Sequence, residues 1–425
     1  MNTHPYRIQR YRPRQARHNM ETKATFSRSS NVLQPNLSVY LDMLRYFAAL
    51  MVYLFHAGHF SHFKLPFFGT YGGLGVAVFF VLSGFVIAFS SMGKRRDIVD
   101  YFIARFARLW SVVLPAILLT LALDTIGQWL ALSAYTPMQP YSVFKWVAAS
   151  GITALFVNEI WFLDIWLGTN GPFWSLSYEF WYYAIFAALT YFRGWRRVAA
   201  TGLVAGIAGP GILIALPVWL LGVGLYHLLR KQAAADGSFS GAIALVVSTG
   251  CLVAYVMMGG AKVFSALPFH FALVNIKPWG INFWPQSYLV GLLIALNIYG
   301  FARIQKIFRN PSEKFVNLVR KTGETSFGLY LFHYPLMYFC KAVLAVAHIA
   351  PGIPYILALY VAPFIAATWL SVKCEPLKLV LSSFLKSMLK NDKARATQGK
   401  AIHIASDYPL ADPLARGDHE GRLDI

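Results

Sequence analysis

The sequence predicts an all-α fold: a polytopic transmembrane helix bundle of about ten spans, plus one re-entrant or interfacial segment. Three observations predict it. Of the 425 residues, 57% are hydrophobic and 13% charged, where a soluble protein carries about 25% charge. The apolar residues gather in runs close to the ~20 residues a helix needs to cross a bilayer. The 38 Lys and Arg exceed the 18 Asp and Glu for a net charge of +20, and they collect in short loops beside those runs, as the positive-inside rule expects. Strong basicity is also a nucleic-acid signal. Its confinement to such loops favours membrane anchoring, and no nucleic-acid partner is expected.

Residues 1–38 carry seven basic residues and one acid, Glu21. They lack the apolar core of a cleaved signal peptide, so they read as a basic cytoplasmic tail before a retained first span. That span, 40–58, contains "LRYFAALMVYLFH". An ionisable group inside a span suggests function by default. Arg45 lies near its cytoplasmic end, with Asp42 three residues earlier on the same face. The structural alternative for this pair is an interfacial ion pair that anchors the helix. His56 follows eleven residues after Arg45, close to three full turns, so the two share a face about 16 Å apart along the axis. His59 and His62 continue at i+3 spacing beyond the helix without a carboxylate, and no metal site is expected.

The second span, 72–92, holds "FFVLSGF". Ser83 with Gly84 reads as a small pair for close helix packing rather than as a nucleophile. Arg105 and Arg108 precede the third span, 109–130, three residues apart. Two guanidiniums on one helix face suit bidentate contact with a polyanion; ordinary anchoring of the span is the alternative.

The stretch 146–163 is apolar but interrupted by Asn158 and Glu159 and followed by Asp164. A full crossing there would turn Arg193, Arg196, Arg197 and most later basic clusters outward. A segment that dips in and returns keeps them inside. Ten crossings follow, with both termini cytoplasmic: the three above and 173–192, 197–209, 212–229, 241–258, 286–301, 326–347 and 352–372. The 197–209 span is short and Gly-rich. Glu179 lies two turns into 173–192, too deep for the helix dipole to explain, and at the depth of His56 in this topology. Tyr330 and His333 fall in the ninth crossing, as packing or as the lining of an internal path. The connector 301–321 reads as a basic amphipathic helix broken near Pro311, suited to an anionic leaflet. The membrane domain is 39–375, and 376–425 reads as a cytoplasmic tail, largely disordered. Cys251, Cys340 and Cys374 are far apart and predict neither disulfide nor metal.

Five stretches, in order, resemble the acyltransferase-3 family of integral membrane acyltransferases: "LDMLRYFAALMVYLFH", "FFVLSGF", "ARFAR", "WSLSYE" and "SFGLYLFHYPL". The resemblance covers about 40–375. It departs from the family at Met43 and Tyr46, where small residues are usual. It implies a multi-pass protein of a bacterial inner membrane that moves an acyl group, most often acetyl, from acyl-coenzyme A. The implied acceptor is a hydroxyl of an extracytoplasmic or lipid-linked carbohydrate, as in exopolysaccharide or lipopolysaccharide modification. Arg45, Arg105 and Arg108 would hold the coenzyme A phosphates. His56 would act as general base with Glu179 orienting it, a transient acyl-histidine being the competing chemistry. Asp42, Ser83, Trp174, Ser175, Tyr330 and His333 would brace or line the site. The rival class is a transporter or flippase of a lipid-linked saccharide, which calls for inverted repeats or broken-helix pairs in matching halves. The sequence shows no such repeat. A second rival is a scaffold for polysaccharide export.

Overall fold

A computed structural model describes residues 34–389, apart from 93–96, 136–141, 162, 233–236 and 267–282. The basic tail to residue 33, the loop bearing Lys94 to Arg96, and residues 390–425 lie outside the described residues. Eleven helices carry the fold: α1 Pro35–Ser61, α2 Gly75–Met92, α3 Ile98–Leu130, α4 Val143–Ala154, α5 Trp174–Tyr191, α6 Trp195–Ala208, α7 Pro210–Lys231, α8 Ser238–Met257, α9 Phe283–Ile304, α10 Glu313–Val346 and α11 Ile353–Cys374. No β-strand occurs among the described residues.

Local chemistry sets the boundaries. Pro35 and Pro210 open α1 and α7 at positions where a missing N–H costs nothing. The Ser142 and Ser312 hydroxyls cap α4 and α10 by accepting the Lys145 and Phe315 amides, each at 3.3 Å. His62 closes α1 in the left-handed region, φ 57°. Residues 305–307 form a short 3-10 turn after α9, and α10 begins only at Glu313, so the connector breaks where Pro311 forbids continuation. The tail expected to be disordered from 376 is helical over 377–389.

α10 is the central strut, packed against α1, α3 and α11. α1 also packs on α2, and α2 on α7. The α2–α7 seam is close because both partners are glycine: a Cβ at Gly84 would overlap the Trp219 carbonyl, and one at Gly222 the Val81 carbonyl. The Ser83–Gly84 pair thus supplies the packing expected of it, through the glycine. Outward faces stay apolar, with Leu118, Val198 and Val246 each exposed by two thirds or more. Soluble proteins rarely show apolar faces of that extent.

Among the described residues, eight helices are long and apolar enough to cross a membrane: α1, α2, α3 and α7 to α11. The other two expected crossings are α5, with 18 residues and many Tyr and Trp, and α6, with 14 residues. Consecutive long helices alternate in direction.

The segment 146–163 folds back on itself. α4 runs along α3 until the Trp110 indole N–H donates to the Ala154 carbonyl at 2.9 Å. The chain then turns, with Phe156 and Trp161 both at positive φ, and climbs back to Asp124, about four fifths of the way along α3. There the Asp124 carboxylate accepts the Thr169 amide and hydroxyl, both at 2.7 Å. Gly168, φ 50°, permits that approach, since a Cβ would strike Asp124 and Trp146. The carbonyl left at Phe156 is satisfied by Ser177 Oγ (2.6 Å) and Trp181 Nε1 (3.0 Å). Where the loop passes inside the bundle, at Leu167, Thr169 and Asn170, protein buries its irregular backbone completely.

Candidate active site

The site is built mainly on α1, α2, α3, α5 and α10. His56 lies in the penultimate turn of α1. Its Nδ1 is 2.8 Å from His333 Nε2 on α10, with the rings stacked at 5.1 Å and 18°. His333 Nδ1 is 2.8 Å from the Leu329 carbonyl one turn earlier. A carbonyl only accepts, so the proton of neutral His333 sits on Nδ1 and its Nε2 carries the lone pair. His56 Nδ1–H therefore donates to His333, and His56 Nε2 is left as the basic atom. His333 is fully buried while His56 is half-buried. The two have different parts: the accessible ring can meet a substrate and the closed ring can only orient it. Tyr53 and Tyr334 pack edge-on against this pair, at 5.7 Å from His333 and 4.8 Å from His56. Tyr53 is fixed by donating to the Tyr360 carbonyl at 3.0 Å.

Toward the other end of α1, Arg45 pairs with Asp42 at 3.1 Å, the i,i+3 contact the sequence suggested. Arg45 and Arg108 line one pocket, with Ser83, Glu179, Ser175 and Tyr330 among its other walls. The pocket holds about 610 Å³ of empty space, mouth included. Arg108, Asp42 and Glu179 all act electrostatically on Arg45, so two like charges are held near each other beside two carboxylates. Such a pair favours an anion that brings several oxygens at once.

Arg105 departs from its expected place. It does not line the pocket. It is buried, its Nη2 donates to Ser90 Oγ at 3.0 Å, and its guanidinium lies over the Tyr101 and Tyr183 rings at 5.6 and 5.9 Å. Positions three apart on a helix share a face only loosely, and here Arg105 turns into the α2–α5 packing while Arg108 lines the pocket.

Glu179 is also corrected. The structure pairs His56 with His333, not with Glu179. The Glu179 carboxylate accepts from Ser83 Oγ at 2.6 Å and from the Tyr183 hydroxyl, and Trp219 Nε1 donates to Ser83 Oγ at 3.2 Å. Ser83 is accordingly a link in this network. The reason Glu179 misses His56 is depth. α5 begins only at Trp174, after the returning loop, and its first turn lies level with Tyr330 of α10. Ser175 meets the Tyr330 hydroxyl at 2.8 Å. From that level His333 is three residues up α10 and Glu179 four residues down α5, which separates them by roughly 10 Å along the axis.

The pocket stops at Tyr330 and does not reach His56. Tyr330 donates to the Pro172 carbonyl at 3.2 Å, and its ring lies 6.4 Å from that of His333. Trp174 packs edge-on against Phe80 and Tyr178 at the pocket's outer side. His59 and His62 are exposed, and among the described residues no group of three or more His, Cys, Asp or Glu is placed to hold a metal. Sequence reasoning missed the partnership of His56 and His333. The usable signal was that a histidine in an apolar span needs a polar partner, and His333 was as much a candidate for His56 as Glu179 was.

Comparisons with known proteins identify the family. The family described as an acyltransferase domain matches residues 38–372. The chain is 23% identical to nodulation protein 10 of Rhizobium leguminosarum bv. viciae over 326 residues, covering 72% of this chain and 85% of that protein. It is 29% identical to acyltransferase MdmB of Streptomyces mycarofaciens over 191 residues, covering 41% of this chain and 45% of that protein. No solved structure matches.

Proposed function

This chain belongs to the acyltransferase-3 family, and from that premise we propose that it moves an acyl group, acetyl in the simplest case, from acyl-coenzyme A to a carbohydrate hydroxyl. It is a membrane O-acyltransferase; the coenzyme A donor, the extracytoplasmic or lipid-linked sugar, and the bacterial inner membrane are the proposed particulars. One observation carries the reading. Arg45 and His56 share a face of α1, the first in a pocket with Arg108, the second hydrogen-bonded to a histidine whose tautomer a carbonyl fixes.

Arg45 and Arg108 hold the donor's phosphates. The thioester arm runs from the pocket past Tyr330, displacing its contact with Ser175, toward the turn that carries His333. His56 Nε2 takes the proton of the acceptor hydroxyl as that oxygen attacks the thioester carbonyl carbon. The C–S bond breaks, and the departing thiolate takes the proton back from His56. An alcohol and a thioester become an ester and a thiol. His333 keeps His56 in the reactive tautomer, the orienting part that a carboxylate plays in serine hydrolases. Glu179 braces the pocket floor through Ser83 and Tyr183.

The test is turnover of labelled acetyl-coenzyme A by the full-length protein, with mass spectrometry of surface glycans from cells that have or lack it. His56→Ala is expected to lose about a hundredfold or more in rate while still inserting in the membrane. Normal acylation by that variant rejects the reading.

A further inference from the structure

Pro335 sits inside α10, two residues beyond His333. Proline has no N–H, so the carbonyl four residues earlier, that of Leu331, loses its intrahelical partner. The Leu331 carbonyl accepts instead from Asn170 Nδ2 at 3.0 Å. Asn170 is fully buried on the returning loop. Its other amide hydrogen goes to Thr120 Oγ1, also at 3.0 Å. Thr120 Oγ1 itself donates to the Ala116 carbonyl at 2.7 Å, so it accepts from Asn170, and the amide orientation is fixed from both sides. The residue before Asn170 is the one clasped by Asp124. The residue two after it supplies the carbonyl that Tyr330 donates to. Within four residues the loop therefore grips α3 on one side and, on the other, the turn of α10 that ends in His333.

We propose that Asn170 is a positioning residue for the His56–His333 pair: it replaces the backbone bond removed by Pro335 and holds that turn of α10 so that His333 Nε2 faces His56. The inference rests on the function proposed above, which requires His56 in one tautomer. Proline frees a carbonyl, and a side chain from another element fills it, so the α10 turn is held from outside. Without Asn170 the Leu331 carbonyl is buried and unpaired, which favours a rotation of the turn toward any other donor. The first geometry lost in such a rotation is the 2.8 Å contact between the imidazoles.

Three variants of the full-length protein test it: Asn170→Ala, Pro335→Ala and Asn170→Ala/Pro335→Ala. Restoring the N–H at 335 gives the Leu331 carbonyl its own helical partner, so the double variant no longer needs Asn170. Two readouts are taken in membranes. One is the 15N histidine signal that disappears in His333→Gln, which reports the His333 tautomer. The other is turnover of labelled acetyl-coenzyme A. Asn170→Ala is expected to lower turnover about tenfold and to mix the His333 tautomers. In the double variant both readouts should return to those of Pro335→Ala alone. Equal losses with and without the Pro335 change overturn the inference, as does absence of both Asn170 variants from the membrane. If the wild-type protein turns over no acetyl-coenzyme A, the proposed function fails, and the tautomer signal still decides the part played by Asn170.

Discussion

A neutral imidazole behind the base differs from a carboxylate in what it supplies. His333 fixes the tautomer and direction of His56, yet adds no negative charge to steady the imidazolium as it forms. A replacement that keeps an acceptor at that point should therefore keep much of the function. His333→Gln, whose amide oxygen can accept from His56 Nδ1–H, is expected to retain about ten times more turnover than His333→Leu, the difference set by one buried hydrogen bond. Equal rates for the two would remove His333 from the mechanism. On the proposed reading, the pocket arginines act on binding. Arg45→Ala and Arg108→Ala should each raise KM for acetyl-coenzyme A about tenfold or more with a smaller change in kcat, since a phosphate contact is made in ground and transition states alike. Arg105→Ala should instead lower the amount of folded protein, because Arg105 fills space over Tyr101 and Tyr183. KM for the donor, measured across all three variants, sorts the pocket arginines from the packing one.

Helices meet here through a few close crossings. α2 and α7 approach until Gly84 faces the Trp219 carbonyl and Gly222 the Val81 carbonyl, whereas Gly224 on α7 has open space around it. Gly222→Leu should then disrupt the seam and lower the melting temperature by several degrees, and Gly224→Leu should leave it almost unchanged. Comparable losses from the two would mean that the crossing is not what holds these helices together. Much at this scale was legible in the sequence. The turning back of 146–163 followed from where the arginines after α5 must lie, and the break in 301–321 from Pro311. The depth at which α5 starts was not legible. The nineteen residues between Ala154 and α5, 155–173, carry no hydropathy signal that says how far along the bundle α5 begins. The consequence was a Glu179 expected beside His56 and found beside Ser83 and Tyr183. The facing of Arg105 was hidden for a similar reason: an RxxR pair shares a face on average, and neighbouring helices decide which of the two turns inward.

At the scale of the whole molecule, the fold places the arginine pocket and the histidine pair at different heights in one bundle. Arg45 and Arg108 lie about three turns into α1 and α3, and His56 near the end of α1. The start of α1 is tied to the end of α9, where the Asn36 amide donates to the Gln305 carbonyl at 3.1 Å. Its other end is tied to α11, where the Tyr360 hydroxyl donates to the Phe63 carbonyl at 2.7 Å. A transferase with donor and acceptor on opposite sides of a membrane, as proposed, requires that these two ends face different compartments, and the positive-inside rule leads us to expect the arginine end in the cytoplasm. Exposed positions at each end make the expectation measurable. In a chain with Cys251, Cys340 and Cys374 replaced by Ser, an impermeant maleimide applied to spheroplasts should label Lys64→Cys, Phe144→Cys and Ile353→Cys. It should leave Arg193→Cys and Lys306→Cys unlabelled until the membrane is opened. Arg193→Cys is the decisive position. It follows α5, and it lies inside only if α4 and the loop after it return to the side they came from. Labelling of Arg193→Cys in sealed spheroplasts would make 146–163 a full crossing and reverse every later helix. The arginine pocket and the histidine pair would then no longer lie between a cytoplasmic donor and an external acceptor.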